Sequence, residues 1–121
     1  MPIPLPSGVD SGEWLRVLGP ACDQAVKAGR TYARGYQLIR EELAPLEASC
    51  AERRDWTRYN AEMNWLADEL NDALALDIVV GWSMSDEFTR EALAELLRQY
   101  KGLSTLIAKH HHESRERLAG K

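Results

Sequence analysis

Apolar and small residues recur along most of this chain at alternating steps of three and four, the spacing of one face of an α-helix. The first stripe runs from Cys22 to Leu46, the second from Trp56 to Ala73, and a third cluster from Phe88 to Ile107. Because proline disfavours helical geometry in the residue before it, Pro45 predicts the boundary between the first two helices. The pattern therefore predicts three long helices, over about residues 20–44, 45–79 and from 83 or 85 towards the C-terminus.

The residues before the first long helix predict an extended arm and one short helix. Three prolines among residues 1–9 fix the backbone and remove amide donors, which favours an extended N-terminal arm. Asp10 is a candidate helix cap, with Glu13 as its capping-box partner. Residues 76–82 are β-branched and aromatic, but they are too short and isolated to build a sheet. We therefore expect an all-α fold, an elongated antiparallel bundle of three long helices preceded by one short helix, in which residues 10–121 form a single helical domain.

Composition is that of a globular protein. The chain has 121 residues, of which 45% are hydrophobic and 28% charged, enough for one buried core. Its net charge of −4 disfavours a general nucleic-acid binder. We see no basic, signal-like N-terminus and no apolar run that could span a bilayer, so we expect a cytoplasmic protein with no membrane partner. Arginine outnumbers lysine eleven to four, a bias that fits a GC-rich bacterial or phage genome.

Two acidic pairs are candidates for metal chemistry. Glu52-x-x-Asp55 and Glu69-x-x-Asp72 resemble the paired acidic motifs of all-α nucleotide pyrophosphohydrolases, a family in which two such pairs on adjacent helices hold magnesium. The resemblance covers residues 52–72 and departs at Asp55, where the family has Glu. One continuous predicted helix puts Glu52 and Glu69 about 25 Å apart, so a single chain cannot close the site. A magnesium-dependent pyrophosphohydrolase is therefore kept as an alternative function.

The run His110-His111-His112 is a second candidate for metal binding. Consecutive helical residues point about 100° apart, so three in a row cannot grip one ion from a regular helix. We interpret the run as a frayed, partly cationic helix end, and we predict no metal, cofactor or catalytic residue. Cys22 and Cys50 lie at or near apolar positions, as buried free thiols do.

Charge is segregated between the first two predicted helices. The first carries Lys27, Arg30 and Arg34, and the second is acidic from residue 62 to residue 77. If the chain folds back at Pro45, the simplest interpretation is charge complementarity between neighbouring helices, and the other is an external basic partner. The basic residues also leave a DNA-binding regulator as a further alternative, although the predicted helices are too long for a helix-turn-helix.

Trp65 points away from the predicted core. Met63 and Leu66 already occupy inward positions, and two residues along a helix is a rotation of about 200°. A large aromatic side chain in an acidic rim is typical of a protein-binding hot spot. The competing interpretation is that Trp14 and Leu18 of the predicted short helix cover it. The predicted partner-binding residues are Glu62, Trp65, Asp68, Glu69 and Asp72.

These observations predict a non-enzymatic protein-binding module. We expect a small bacterial or phage accessory protein that binds another protein and modulates or inhibits it, without a nucleic-acid partner. Long helices in a short chain expose long flanks, and apolar residues such as Leu93, Leu97 and Leu106 lie beside the main stripe. A symmetric partner is the commonest cover for such surface, so we also expect a homodimer.

Overall fold

The fold combines four helices with a small antiparallel sheet. A computed structural model describes residues 1–120, and the three strands pair in the order β1-β2-β3. The strands are β1 (Pro2–Pro4), β2 (Asp10–Val17) and β3 (Val79–Trp82). The helices are α1 (Asp23–Arg53), α2 (Thr57–Ile78), α3 (Arg90–Gln99) and α4 (Leu103–Ala119). The predicted all-α bundle of three long helices is therefore wrong.

The predicted short helix is strand β2. Asp10 does not cap a helix, because its carboxylate accepts the amide proton of Gly12 at 2.9 Å in a tight turn. The strand then alternates, with Trp14 and Arg16 exposed and Leu15 fully buried between them. A run of apolar residues this short satisfies the helical and the strand periods equally, and pairing with β1 and β3 decides between them.

Strand β3 completes the sheet. It pairs with β2 in antiparallel register, with Trp82 opposite Leu15 and Gly81 opposite Arg16. The segment is too short for a sheet of its own, as its sequence indicates, but β2 supplies the partner that the sequence pattern concealed. Val79 leaves the helix in extended geometry, so α2 ends at Ile78, three residues before Gly81.

The helical hairpin turns at Arg54 and not at Pro45. Pro45 lies inside α1 on the exposed face of the helix. Because proline has no amide proton, the carbonyl of Glu41 lacks its usual helical donor. Glu41 is also exposed, so water can solvate that carbonyl. The chain reverses where Arg54 adopts the left-handed conformation, with φ of 56°. Asp55 then accepts hydrogen bonds from the amide and the hydroxyl of Thr57 at 3.1 and 2.8 Å. These bonds lower the pKa of Asp55 and fix the start of α2.

The predicted third long helix is divided in two. Gly102, with φ of 91°, breaks it between α3 and α4. Helix α3 is capped by Thr89, whose hydroxyl accepts the amide proton of Ala92 at 3.0 Å, so the predicted start at residue 83 or 85 is wrong. The division lets both short helices turn their apolar faces into one core, which buries Leu93 and Leu97 within the chain.

The main core lies at the open end of the hairpin. It joins residues of the sheet, α3 and α4 to the first turns of α1 and the last turns of α2. Its fully buried side chains include Leu15, Ile78, Leu93, Leu103 and Ile107. Helix α1 is about 46 Å long, so the hairpin projects well beyond this base. In the projecting part, Ile39, Leu43 and Cys50 are buried but lie outside the main core.

Candidate functional site

Trp65 lies on the outer face of α2. Its relative exposure is 66%, whereas Leu18 packs against the main core and Trp14 lies on β2 beside Arg16. The interpretation in which Trp14 and Leu18 cover Trp65 is therefore wrong. Since Met63, about 200° around α2 from Trp65, is half-buried, helix geometry directs Trp65 away from the hairpin interface.

Four carboxylates surround Trp65 on the same outer face of α2. Glu62, Asp68 and Glu69 are exposed, and Asp72 is half-buried. Within residues 1–120 the ion pairs are Asp77 with Arg90, Glu95 with Arg98 and Glu113 with Lys109, so none of the four carboxylates is paired. We call Trp65 and these four carboxylates the acidic surface. Such a surface attracts a basic partner and offers it one large apolar side chain to bury.

The basic residues of α1 do not neutralise this surface. The register of the hairpin sets Tyr32 against Asn71, with a hydrogen bond of 3.0 Å from the phenol to the amide oxygen. Lys27, Arg30 and Arg34 are exposed and make no ion pair among the described residues. The simplest interpretation, internal complementarity between the two helices, is therefore wrong, because both charged faces point outwards.

The two acidic pairs do not converge. The turn at residues 54–56 separates them, so the predicted continuous helix is wrong, yet Glu69 still lies about 18 Å along α2 from Thr57. Asp55 already holds the first turn of α2. Among residues 1–120 no group of three or more His, Cys, Asp or Glu side chains could hold a metal ion. Both cysteines are free thiols.

His111 is a buried titratable group that the sequence interpretation missed. It is 1% exposed, and its Nε2 has no hydrogen-bond partner. Gly29 of α1 faces it so closely that an added Cβ would lie 3.3 Å from that nitrogen. Burial lowers the pKa of His111, and the charges of His112 and Arg115 lower it further. The site therefore favours the neutral imidazole.

The histidine run is part of a packed helix. The ring of His112 lies on Tyr32 with centroids 5.0 Å apart, so the predicted frayed helix end is wrong. The signal was present in the sequence, because His111 continues the four-residue spacing of Leu103 and Ile107. Burial also lowers the pKa of His112 and raises that of Tyr32.

A family comparison supplies the class of protein. A family model described as phage tail assembly chaperone matches residues 36–120, which include the projecting hairpin, the acidic surface, β3, α3 and α4. The match covers well over half of the chain, so the chain belongs to the phage tail assembly chaperone family. No curated protein and no solved structure matches it.

The family confirms the coarse functional prediction that this is a small phage accessory protein. A chaperone acts on other proteins, so the family also supports protein partners. Among the described residues, we find no helix with the length and apolar character needed to cross a membrane.

Proposed function

We propose that this chain is a non-enzymatic binding module that holds a component of the phage tail during assembly. The observation that carries the proposal is the exposure of Trp65 in a rim of unpaired carboxylates on a projecting hairpin. The family description names a chaperone of tail assembly, and a chaperone needs a surface that its partner can cover and later release. The acidic surface is our candidate for this binding surface.

The partner of this surface is a basic protein segment. Four uncompensated carboxylates raise the rate of encounter with a positive surface, and that rate falls as salt screens the charges. Trp65 then supplies affinity, since a tryptophan at the centre of an interface commonly contributes 2 kcal/mol or more. This combination gives a fast encounter and a complex that salt or a competing surface can dissociate.

Modulation by inhibition of a host protein has no supporting observation, whereas holding a tail component follows the family description, so we propose holding. A homodimer remains a prediction, although Leu93 and Leu97, on which it partly rested, are buried within the chain. A cytoplasmic location and the absence of a nucleic-acid partner also remain predictions.

The test is a binding assay between this chain and each tail protein encoded by the same phage, co-expressed and then purified as a complex. Trp65→Ala should weaken the complex at least tenfold and leave the melting temperature nearly unchanged, because Trp65 packs little within the chain. The matched control is Trp56→Ala, an exposed tryptophan at the hairpin turn that lies outside the acidic surface.

Salt dependence is the second readout. Neutralising Glu62, Asp68 and Glu69 together should slow association and flatten its dependence on ionic strength. A complex that forms with wild-type affinity in the Trp65→Ala variant would show that the acidic surface is not the site. Marked destabilisation by the same variant would show that Trp65 supports the fold.

A further inference from the structure

The outer face of α1 has the charge opposite to that of the acidic surface. Lys27, Arg30 and Arg34 lie on this face, all are exposed, and none forms an ion pair within residues 1–120. At about 100° per residue they are centred on the side of α1 roughly opposite the buried Ile39 and Leu43. The basic face and the acidic surface therefore lie on opposite sides of the hairpin, and neither can neutralise the other within one chain.

The two faces have the same spacing. Along α1 the outer face runs through residues 27, 30, 34, 37 and 41, and along α2 it runs through residues 72, 69, 65, 62 and 58. Both series have steps of three, four, three and four, which keep their members on one side of a helix. Two such helices packed antiparallel can therefore set each member of one face level with one member of the other.

In that register the charges of the two faces are opposite. Arg30 is level with Glu69, and Lys27 is level with Asp72. Each of these pairs joins a cation to a carboxylate, and all four residues lack an ion pair among the described residues. The α1 face of one copy therefore offers the acidic surface of another copy the basic partner that it lacks.

Trp65 lies level with Arg34 in the same register. The guanidinium of an arginine stacks favourably on an indole ring, and its methylene groups cover part of the ring. One turn further along, Gln37 lies level with Glu62, where an amide can donate to the carboxylate. The exposed tryptophan at the centre of the acidic surface therefore gains a partner as well.

The residues that break the charge pattern of each face also match. Arg58 is the basic residue beside the acidic surface, and Glu41 is the acidic residue beyond Arg34 on α1. Both are exposed, neither forms an ion pair in the described part of the chain, and the register sets them level with each other. Asp23, one turn before Lys27, is level with Leu76. No two like charges are therefore level across the contact.

We infer that the acidic surface of one copy of this chain binds the outer face of α1 in a second copy. The two copies point the same way, because α1 and α2 are antiparallel within each hairpin. Each copy keeps one face free, so association continues head to tail and does not close as a symmetric dimer. A contact between two helices over about four turns is small, so each step is weak and reversible.

This self-association goes beyond the proposed function. A second copy and a tail component compete for the same carboxylates and for Trp65. Copies bound head to tail keep the acidic surface covered, and a tail component of higher affinity displaces them. The competition rests on the proposed function, whereas the self-association does not.

Sedimentation velocity of the full chain measures the association. At low ionic strength the mean mass should rise with protein concentration and pass that of a dimer, because each added copy exposes a new face. At high ionic strength the chain should return to a monomer, since salt screens exposed charge pairs.

Charge-reversal variants locate the contact. Arg30→Glu should weaken association at least tenfold, because it sets a second carboxylate level with Glu69. Arg40→Glu is the matched control, since Arg40 is exposed but lies about 100° around α1 from the centre of the outer face. It should leave the association unchanged. Melting temperatures should stay close to wild type, because both side chains are exposed.

An exchanged pair tests the register. Adding Glu69→Arg to Arg30→Glu should restore association, because it restores opposite charges at the same level. Adding Glu62→Arg instead gives the same net charge at an exposed position that is level with Gln37, and it should not restore association. Equal rescue by both double variants would overturn the register.

Three other results would overturn the inference: a monomer at every concentration in low salt, equal effects of Arg30→Glu and Arg40→Glu, or a closed dimer that survives high salt. The last would show that a different surface joins the copies. Failure of the proposed function is distinguishable. In that case Trp65→Ala leaves capture of the tail component intact, while Arg30→Glu still prevents self-association.

Discussion

Acid should destabilise this protein through His111. The imidazole is buried where α4 packs against Gly29 of α1. Burial lowers its pKa in the folded state, and neighbouring positive charges lower it further. The unfolded chain has no such environment, and its histidine titrates near pH 6.5. Below that pH, His111 binds a proton in the unfolded state and stays neutral in the folded state. The stability from this site is therefore complete above about pH 6.5 and falls as the pH drops, until the folded pKa is reached.

The size of the effect has an upper limit set by proton linkage. One proton bound only by the unfolded state changes the free energy of unfolding by at most about 1.4 kcal/mol per pH unit. The pKa values of His110 and His112 are lowered by burial as well, so they add to the wild-type slope. Replacing His111 should remove one site's share of that slope.

His111→Leu is the informative variant. It fills a similar volume without a polar atom, and an unsatisfied buried nitrogen such as Nε2 costs about 1–3 kcal/mol. We therefore expect the variant to be as stable as wild type or up to about 2 kcal/mol more stable at pH 8. The difference should widen between pH 7 and pH 5, since only the wild type loses this site's contribution.

Urea unfolding at pH 8, 7, 6 and 5, followed by circular dichroism, measures both quantities. His110→Gln is the comparison variant, because it should lose the share of the slope that His110 contributes and keep the share of His111. A His111→Leu variant with the wild-type pH slope would refute the reasoning, as would a loss of more than about 2 kcal/mol at pH 8. The second result would mean that the imidazole makes a favourable contact in the core.

Two further predictions concern the helix ends. Arg54→Gly should raise the free energy of unfolding by about 0.5–1 kcal/mol in urea melts, because glycine adopts a φ of 56° without the steric cost of a side chain. Arg53→Gly, inside the last turn of α1, should instead lower it by up to about 1 kcal/mol, and the same sign for both would contradict the assigned turn. Thr89→Ala should cost about 1 kcal/mol, since it removes the hydroxyl that accepts from Ala92 at the start of α3, and an unchanged melt would show that the cap is dispensable.

The helical pairing of α1 and α2 was predictable from periodicity, but its turn was not. The stripe of apolar residues continues on both sides of Pro45, and only the rule against helical geometry before proline suggested a break there. In the fold, Pro45 lies on the exposed face of α1, where the loss of one backbone hydrogen bond costs little. The turn instead depends on Arg54 in a left-handed conformation, which its residue type does not predict, since glycine or asparagine usually occupies such a position.

The sheet was hidden for a different reason. The run Trp14-Leu15-Arg16-Val17-Leu18 satisfies a helical and an alternating pattern, and its strand partner Val79–Trp82 is far away in the chain. Local patterns do not report such non-local pairing. The exposure of Trp65, by contrast, followed from its angle relative to Met63, which depends only on helix geometry and survives the error in the turn.

The position of the turn has a consequence for how the binding surfaces are presented. A turn at Pro45 would have left a short first helix, with the third helix able to cover most of the hairpin. With the turn at Arg54, the contacts of α4 with the hairpin reach Tyr32 and Asn71, and the hairpin continues for about 30 Å beyond them. Only Ile39, Leu43 and Cys50 are buried in that stretch, so its two helices remain laterally open to a third. The family match begins at Tyr36, almost where the cover of α4 ends, and so takes in the whole open stretch. The base fixes the hairpin, and the open stretch presents the acidic surface.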